Sequence, residues 1–192
     1  MTLLVSGWVA IDEIETPFAK AKGLLGGSAT CAALAGALFT DVRLLAAIGE
    51  DFPVGELSKL DGRGIDLAGV ATVAGGLTSR WGGRYHFDMN SRDTIYTELG
   101  VNADWQPKLP AGWEDSRTAF LAAGDPVLQR NIIGRLTKPR STMVDTIKFY
   151  IETAIDELRK TMQVADFVAL NESEAREMAG TPSIARAGRE LL

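Results

Sequence analysis

Short, almost wholly apolar runs alternate with segments of helical spacing along most of this sequence, and this alternation most limits the fold. The apolar runs lie at 2–12, 42–49, 118–124 and 166–170, and a further strand is predicted at 141–146. Helical segments are predicted at 28–39, 54–64, 126–136, 148–162, 172–180 and from 181 to the last residue. Buried strands that alternate with helices are typical of a parallel sheet with right-handed crossovers. The sequence therefore predicts an α/β fold with a parallel-sheet core.

Residues 70–99 have a different pattern. They alternate Thr, aromatic and charged residues with glycines and show no helical stripe, which predicts antiparallel strands. Residues 13–23 are predicted to add a further strand, so that a small β-sheet forms a lid over a crevice. The predicted domains are an α/β core of residues 1–12, 24–69 and 100–192 and a β lid of residues 13–23 and 70–99.

The last twelve residues begin like a helix and then stop on two leucines. Thr181 is the predicted cap and Pro182 the first helical residue. A sheet of this kind ordinarily continues from such a helix into another strand. The sequence thus predicts a core that is incomplete and truncated at its C-terminus.

Composition excludes several classes of protein. The formal net charge is −5, and Lys and Arg are scattered singly, so we expect no nucleic-acid partner. No leader precedes an apolar segment and no window approaches the roughly 20 apolar residues of a membrane span, which predicts a cytoplasmic protein without a membrane partner. Cys31 is the single cysteine and His86 the single histidine, which excludes an internal disulfide and a multi-cysteine or multi-histidine metal site. We expect Cys31 to pack as a small hydrophobic residue in its helix.

A pair of adjacent glycines, Gly26 and Gly27, precedes a helix of small residues, and Ser28 is the predicted N-cap of that helix. Without side chains the pair could admit a ligand to backbone N–H groups and to the helix N-terminus. Neither a P-loop nor a G-x-G-x-x-G fingerprint occurs in the first strand-to-helix turn.

Two aspartates follow apolar runs. Asp125 lies after a glycine turn, where it could act as a base, and directly before Pro126, where it could cap a helix. Asp145 could line the crevice or cap a turn. The two interpretations stay open for each residue.

Asn171 and Glu174 follow the last apolar run with the spacing of a helix capping box. A carboxylate beyond the carboxyl end of a parallel strand also faces the ligand crevice, where it could hold a water of a hydrated magnesium ion. Both roles are compatible, because a cap fixes the rotamer that such a group would need.

Five stretches, taken together and in this order, resemble the ribokinase-like (PfkB) carbohydrate kinases: VSGWVAID, GGSATCAALAGAL, DVRLLAAIGEDFPVGEL, GID and LNESEAREMAG. The middle segment RYHFDMNSRDTIYTEL and the connector PKLP are similar to a sugar-kinase subgroup of that family. The resemblance runs over nearly the whole chain. It implies a ribokinase-like core with a β lid that closes over a sugar, and it implies ATP and Mg²⁺ as cofactors.

The resemblance also implies roles for particular residues. Asp12 would hydrogen-bond the acceptor sugar, Asn171 and Glu174 would serve the phosphate and magnesium region, and Glu174 would reach the metal through water. The implied substrate-binding residues are Asp12, Gly26, Gly27, Ser28, Asn90 and Asp125. The catalytic aspartate and its Gly-Ala-Gly-Asp turn have no match in this chain and are expected beyond Leu192.

The chain departs from the family pattern at Cys31, where many members carry an Asn that binds sugar, so the substrate is left open between sugars and nucleosides. The predicted function is ATP-dependent phosphorylation of a hydroxymethyl group, with this chain carrying the acceptor-binding part and inactive alone. The alternative is a non-catalytic sugar-binding or dimerisation module. A homodimer through the lid is a further prediction.

Overall fold

A computed structural model describes residues 2–192, and its strands form two separate sheets. The strands are β1 (Thr2–Ser6), β2 (Ala10–Glu15), β3 (Lys20–Gly26), β4 (Asp41–Gly49), β5 (Ile65–Val73), β6 (Arg80–Tyr85), β7 (Arg92–Glu98), β8 (Thr118–Leu121), β9 (Ser141–Asp145) and β10 (Phe167–Ala169). The helices are α1 (Ser28–Gly36), α2 (Val54–Leu57), α3 (Pro126–Ile133), α4 (Lys148–Thr153), α5 (Ile155–Met162), α6 (Glu172–Ala179) and α7 (Ile184–Leu191).

The larger sheet is parallel throughout, with the strand order β10-β9-β8-β1-β4-β5. Its central strands are buried on both faces. Val5 and Leu44 belong to the apolar cluster on the α1 side, and Leu4 and Leu45 belong to the cluster on the α3 side. This explains why these strands are continuous apolar runs in the sequence, and the predicted α/β core with a parallel sheet is confirmed.

One half of this sheet has an exposed apolar face. Phe120, Met143 and Phe167 lie in register across β8, β9 and β10 and therefore share a face. The exposed fraction rises toward the edge strand, to 36% at Met143 and 55% at Phe167. Helices α3 and α5 pack on the opposite side of these strands.

The smaller sheet has the order β3-β2-β6-β7 and confirms the predicted second sheet. The pairs β2–β3 and β6–β7 are antiparallel hairpins, as expected, but β2 and β6 run parallel. The alternation of polar and apolar residues predicts each hairpin from its own segment. The parallel pairing of β2 with β6 depends instead on where the core places these two strands.

The predicted strand 2–12 is wrong as a single element, because β1 and β2 belong to different sheets. Gly7 separates them with a φ of +147°, and a Cβ there would come within 3.0 Å of Ala122. Strand β1 therefore ends where the chain packs against Ala122, directly after β8. Residues 10–12 and 24–26, which the sequence assigned to the core, pair in the smaller sheet. Residues 70–73, which it assigned to the lid, pair in the larger sheet, so strands cross the predicted domain boundaries. The lid role of the smaller sheet stays a prediction.

Most of the predicted helices differ in length from those observed, including α3, which ends at Ile133 and not at residue 136. The first ends at Gly36, and the second is a single turn, Val54–Leu57. The segment 148–162 forms α4 and α5 in place of one helix, because Ala154 leaves the helical region with φ −144° and ψ 35°.

Three local predictions about side chains are wrong. The residue at the N-cap position of α1 is Gly27, and Ser28 lies inside the helix. The side chain of Ser183, in place of Thr181, caps α7. Cys31 is exposed, because it lies on the face of α1 opposite the buried Ala29 and Ala33.

Candidate functional site

The glycine pair lies where the smaller sheet joins the core, and the chain's own atoms account for both glycines. A Cβ at Gly26 would overlap the Asp12 carboxyl group, and a Cβ at Gly27 would overlap the Trp8 carbonyl group. Gly27 also has a φ of +91°, which disfavours other residues. The pair therefore brings β2, β3 and the start of α1 together, with the Asp12 carboxyl group packed between them.

The Asp12 carboxyl group, which lies beside the glycine pair, has a pKa that is strongly changed by burial. Burial raises its pKa to about 6, although a backbone hydrogen bond from Gly27 acts in the opposite direction. Its Oδ1 is buried and has no hydrogen-bond partner among residues 2–192. A buried acceptor without a donor is costly, so the burial of this oxygen is not balanced by a hydrogen bond within the described residues.

Trp8 connects the linker between β1 and β2 to three other parts of the core. Its backbone N–H donates to Ala123 O at 3.2 Å, and its carbonyl accepts from Ala29 N at 3.1 Å. Its side chain donates to Tyr150, and the two rings meet edge to face at 6.4 Å. Burial and the nearby charge of Asp125 raise the Tyr150 pKa. No local sequence pattern predicts this pair, because Trp8 and Tyr150 lie in distant segments of the chain.

Loop 122–125 brings two predicted substrate residues to the same edge of the sheet. Ser28 Oγ accepts a hydrogen bond from Ala123 N at 3.0 Å, so this side chain fastens α1 to the loop. Asp125 Oδ1 accepts from Val127 N at 2.8 Å and Leu128 N at 3.1 Å. The predicted capping role of Asp125 is thus confirmed, and its contact with substrate stays a prediction.

Asp145, the last residue of β9, and Glu174, in the first turn of α6, carry two further carboxyl groups. The Asp145 side chain is half-buried and the Glu174 side chain is buried. Burial raises the Asp145 pKa to about 6, against backbone hydrogen bonds from Thr146 and Ala123, and the charge of Glu174 raises it further. Burial also raises the Glu174 pKa, and the charge of Arg92 on β7 acts against this rise. The beginning of β7 therefore lies within electrostatic reach of the core.

The predicted capping box at the start of α6 is confirmed in both directions. Asn171 Oδ1 accepts from Glu174 N at 3.0 Å, and Glu174 Oε2 accepts from Asn171 N at 3.0 Å. The box fixes the Glu174 side chain while it is 8% exposed.

Asn90 is the predicted site residue that the structure does not bring to the others. It lies in the exposed turn between β6 and β7, where its N–H donates to Asp88 Oδ1 at 3.1 Å. His86 lies at the same end of the sheet, with Nε2 3.1 Å from Asp93 Oδ2.

A second connection between the sheets is held by Asp51, which follows β4. Asp51 accepts from Thr78 N and Thr78 Oγ1, each at 2.7 Å, and from Arg80 Nη2 at 2.6 Å. Burial acts to raise the Asp51 pKa, but these hydrogen bonds and the Arg80 charge hold it below its usual range. The acidic residue after the strand thus has a structural partner on β6.

Glu174 is the residue that is predicted to contact a metal ion, through a water molecule. Among residues 2–192 no group of three or more His, Cys, Asp or Glu side chains is arranged to hold a metal. A contact of Glu174 with hydrated Mg²⁺, an ion that keeps most of its waters when bound, stays a prediction. Within the same residues, no helix is long and apolar enough to cross a membrane.

Comparison with solved structures identifies the fold. A nucleoside kinase of Methanocaldococcus jannaschii, an archaeal member of the ribokinase family, superposes with a TM-score of 0.72 at 16% identity over 93% of this chain and 63% of its own. A Burkholderia thailandensis nucleoside kinase in complex with inosine gives 0.70 at 17% identity, over 97% and 67%. A Cryptococcus neoformans ribokinase in complex with ADP gives 0.67 at 19% identity, over 98% and 66%.

The chain therefore has the ribokinase fold, and the predicted fold class is confirmed. It spans about two thirds of the length of these kinases. The sequence matches no protein-family model and no curated protein.

Proposed function

We propose that this chain is the acceptor-binding part of an ATP-dependent kinase that phosphorylates a hydroxymethyl group of a sugar or nucleoside. The observation that carries the proposal is the Asp12 carboxyl group, which lies beside Gly26 and Gly27 with a buried, unpartnered oxygen. The ribokinase fold and the inosine complex of a structural neighbour support this class of acceptor.

In the proposed complex, a hydroxyl group of the acceptor donates a hydrogen bond to Asp12. A charge-assisted bond of this kind contributes about 1.5 to 3 kcal/mol. Ser28 and Asp125 hold the loop and the helix that line the same edge of the sheet. The smaller sheet acts as a lid that carries Asn90 and excludes water from the crevice.

Two cofactors belong to the proposal. Mg²⁺, when bound, would neutralise charge on the phosphoryl oxygens, and Glu174 would contact it through water. ADP in the ribokinase neighbour supports ATP as the phosphoryl donor. We assign no catalytic base to the described residues, because Asp125 is engaged in capping α3 and neither Asp125 nor Asp145 combines a base with donors for a developing anion.

Association through the lid is also part of the proposal. Phe18 and Phe87, at the tips of the two hairpins, are 72% and 79% exposed, and their rings lie 5.8 Å apart. Sedimentation of the wild type against a Phe87→Ser variant tests this association, which is excluded if both remain monomeric at high concentration.

Calorimetric titration with ribose, fructose, adenosine and inosine tests the acceptor site. We expect one of these probes to bind the wild type, and we expect Asp12→Ala to weaken binding while Asp104→Ala, at an exposed position, does not. Equal affinity of the Asp12→Ala variant, with an intact circular dichroism spectrum, would remove Asp12 from the site.

A coupled assay with ATP, Mg²⁺ and the same probes tests the placement of the chemistry. We expect no turnover by the 192-residue chain, since transfer needs acceptor, base and anion donors together. Turnover that disappears in an Asp125→Asn variant would contradict our exclusion of Asp125 as base.

A further inference from the structure

Gln129 is a buried polar side chain on α3 whose contacts are not explained by the packing of that helix. It is 4% exposed, and its neighbour on the same helix, Ile132, belongs to the apolar cluster under the sheet. A glutamine at such a position is costly unless its amide is hydrogen-bonded. The partners of the amide therefore indicate why it is there.

The amide group reaches the ends of two strands. Gln129 Nε2 lies 3.2 Å from Leu121 O, 2.9 Å from Ala122 O and 2.9 Å from Asp145 O. The ladder between β8 and β9 ends at the pair Leu121 and Val144. Gln129 thus supplies N–H donors to carbonyl groups at the position where the two strands separate.

The orientation of the amide follows from the same contacts. Three carbonyl oxygens surround one end of the side chain, so that end must be the NH₂ group, because an amide oxygen there would face three other oxygens. The opposite end, Oε1, is buried and has no hydrogen-bond partner among the described residues. Donation to the strand ends is therefore the polar role that the side chain fulfils.

The segments that Gln129 joins carry the carboxyl groups of the candidate site. Ala122 leads through the loop to Asp125, and Asp145 is itself the last residue of β9. Ala123, next to the held carbonyl, accepts from Trp8 N and donates to Ser28 Oγ. A shift of this loop would therefore change the linker to the smaller sheet and the start of α1 as well.

We propose that Gln129 is a positioning residue, which fixes the separation of the Asp125 and Asp145 strand ends by donating hydrogen bonds to both. The consequence for ligand binding rests on the proposed function, whereas the positioning itself does not. An apolar side chain of the same length would fill the space but would leave the carbonyl groups without donors.

Hydrogen exchange measured by mass spectrometry tests the positioning directly. Gln129→Met keeps the length of the side chain and removes the donors, and Arg130→Met is the matched control, since the hydrogen bonds that it removes run from the same helix to Glu157 and Thr161 on α5. We expect exchange in peptides covering 121–125 and 145–147 to rise about tenfold more in Gln129→Met than in the control, because hydrogen bonds of ordinary net strength are lost. An equal rise in both variants would overturn the proposal.

A Gln129→Glu variant provides a rescue that a merely structural role would not show. Its carboxyl group donates a hydrogen bond only when protonated, and burial among carbonyl oxygens favours the protonated form. Relative to the wild type at the same pH, which corrects for the native carboxyl groups, we expect near-normal protection at pH 5 and fast exchange at pH 8. Equal protection at both pH values would overturn the proposal, and this variant also decides the matter if Gln129→Met does not fold.

Binding of the same four probes, ribose, fructose, adenosine and inosine, separates this proposal from the proposed function. If the wild type binds one of them, we expect Gln129→Met to weaken binding about tenfold, for the same lost hydrogen bonds. If the wild type binds none of them, the acceptor assignment fails, and the exchange experiment still decides the role of Gln129.

Discussion

Replacement of Asp12 by Asn is expected to stabilise the protein at neutral pH and to have no effect on its stability in acid. The ordinary pKa of this group is 3.8, and burial raises it to about 6. The folded state therefore binds a proton more tightly than the unfolded state, and the contribution of Asp12 to the free energy of unfolding falls as the pH rises through this interval. At a pH well below 3.8 the carboxyl group is protonated in both states and this effect vanishes.

The magnitude follows from the same two values. Their difference corresponds to about 3 kcal/mol for a wholly buried group. Asp12 is partly exposed, and solvent screening reduces the expected gain above pH 7 to about 1 to 2 kcal/mol. The amide of the Asp12→Asn variant can still accept the hydrogen bond from Gly27, so packing around the glycine pair is retained.

Urea unfolding followed by tryptophan fluorescence at pH 4, 5.5 and 7.5 measures this difference. We expect the stability of Asp12→Asn relative to the wild type to increase across the series, while that of the Asp104→Asn control stays constant. A difference that does not depend on pH, or a loss of stability at pH 7.5, would refute the inference that Asp12 is an unfavourably buried carboxyl group.

Three further predictions concern stability and association. Gly27→Val should lower the free energy of unfolding, measured by urea titration, by more than about 3 kcal/mol, because the site combines a positive φ with a steric overlap. The control Gly188→Ala lies in open space on α7 and should raise the free energy of unfolding by up to about 1 kcal/mol. Asn171→Ala should cost about 1 kcal/mol through loss of the α6 cap, and an unchanged melting temperature would contradict this. Phe167→Thr should reduce self-association in sedimentation experiments by removing an aromatic ring from the exposed sheet face, and Phe39→Thr, exposed elsewhere, should have less effect.

The sequence predicted the parallel core because buried strands such as β4 have a local signature in their apolar runs. It also predicted the caps at Asp125 and Asn171, since a cap depends on residues within one helical turn, although the same local reasoning misplaced the caps of α1 and α7 by one or two residues. The larger errors depend on contacts between distant segments. The division of 2–12 into two strands follows from the contact of Gly7 with Ala122, which no local pattern records.

The same distinction applies to the candidate site. From the sequence, the glycine pair was expected to let a ligand approach the backbone. In the structure these glycines lie against Asp12 and Trp8, so we expect substitution of Gly27 to lower the stability of the fold. Gln129 escaped notice, because a glutamine within a helical segment is ordinarily a solvent-facing residue.

The parallel pairing of β2 with β6 constrains the order in which the chain can fold. The two strands are joined by β3, α1, β4, α2 and β5, so they can meet only after that intervening part of the core has brought their starting points together. Contacts between such distant segments form slowly, since loop closure must precede them. Each hairpin can form early, but the four-stranded sheet should be completed late in folding. Two separate peptides, one for the β2–β3 hairpin and one for the β6–β7 hairpin, should therefore not assemble into this sheet when they are mixed without the core.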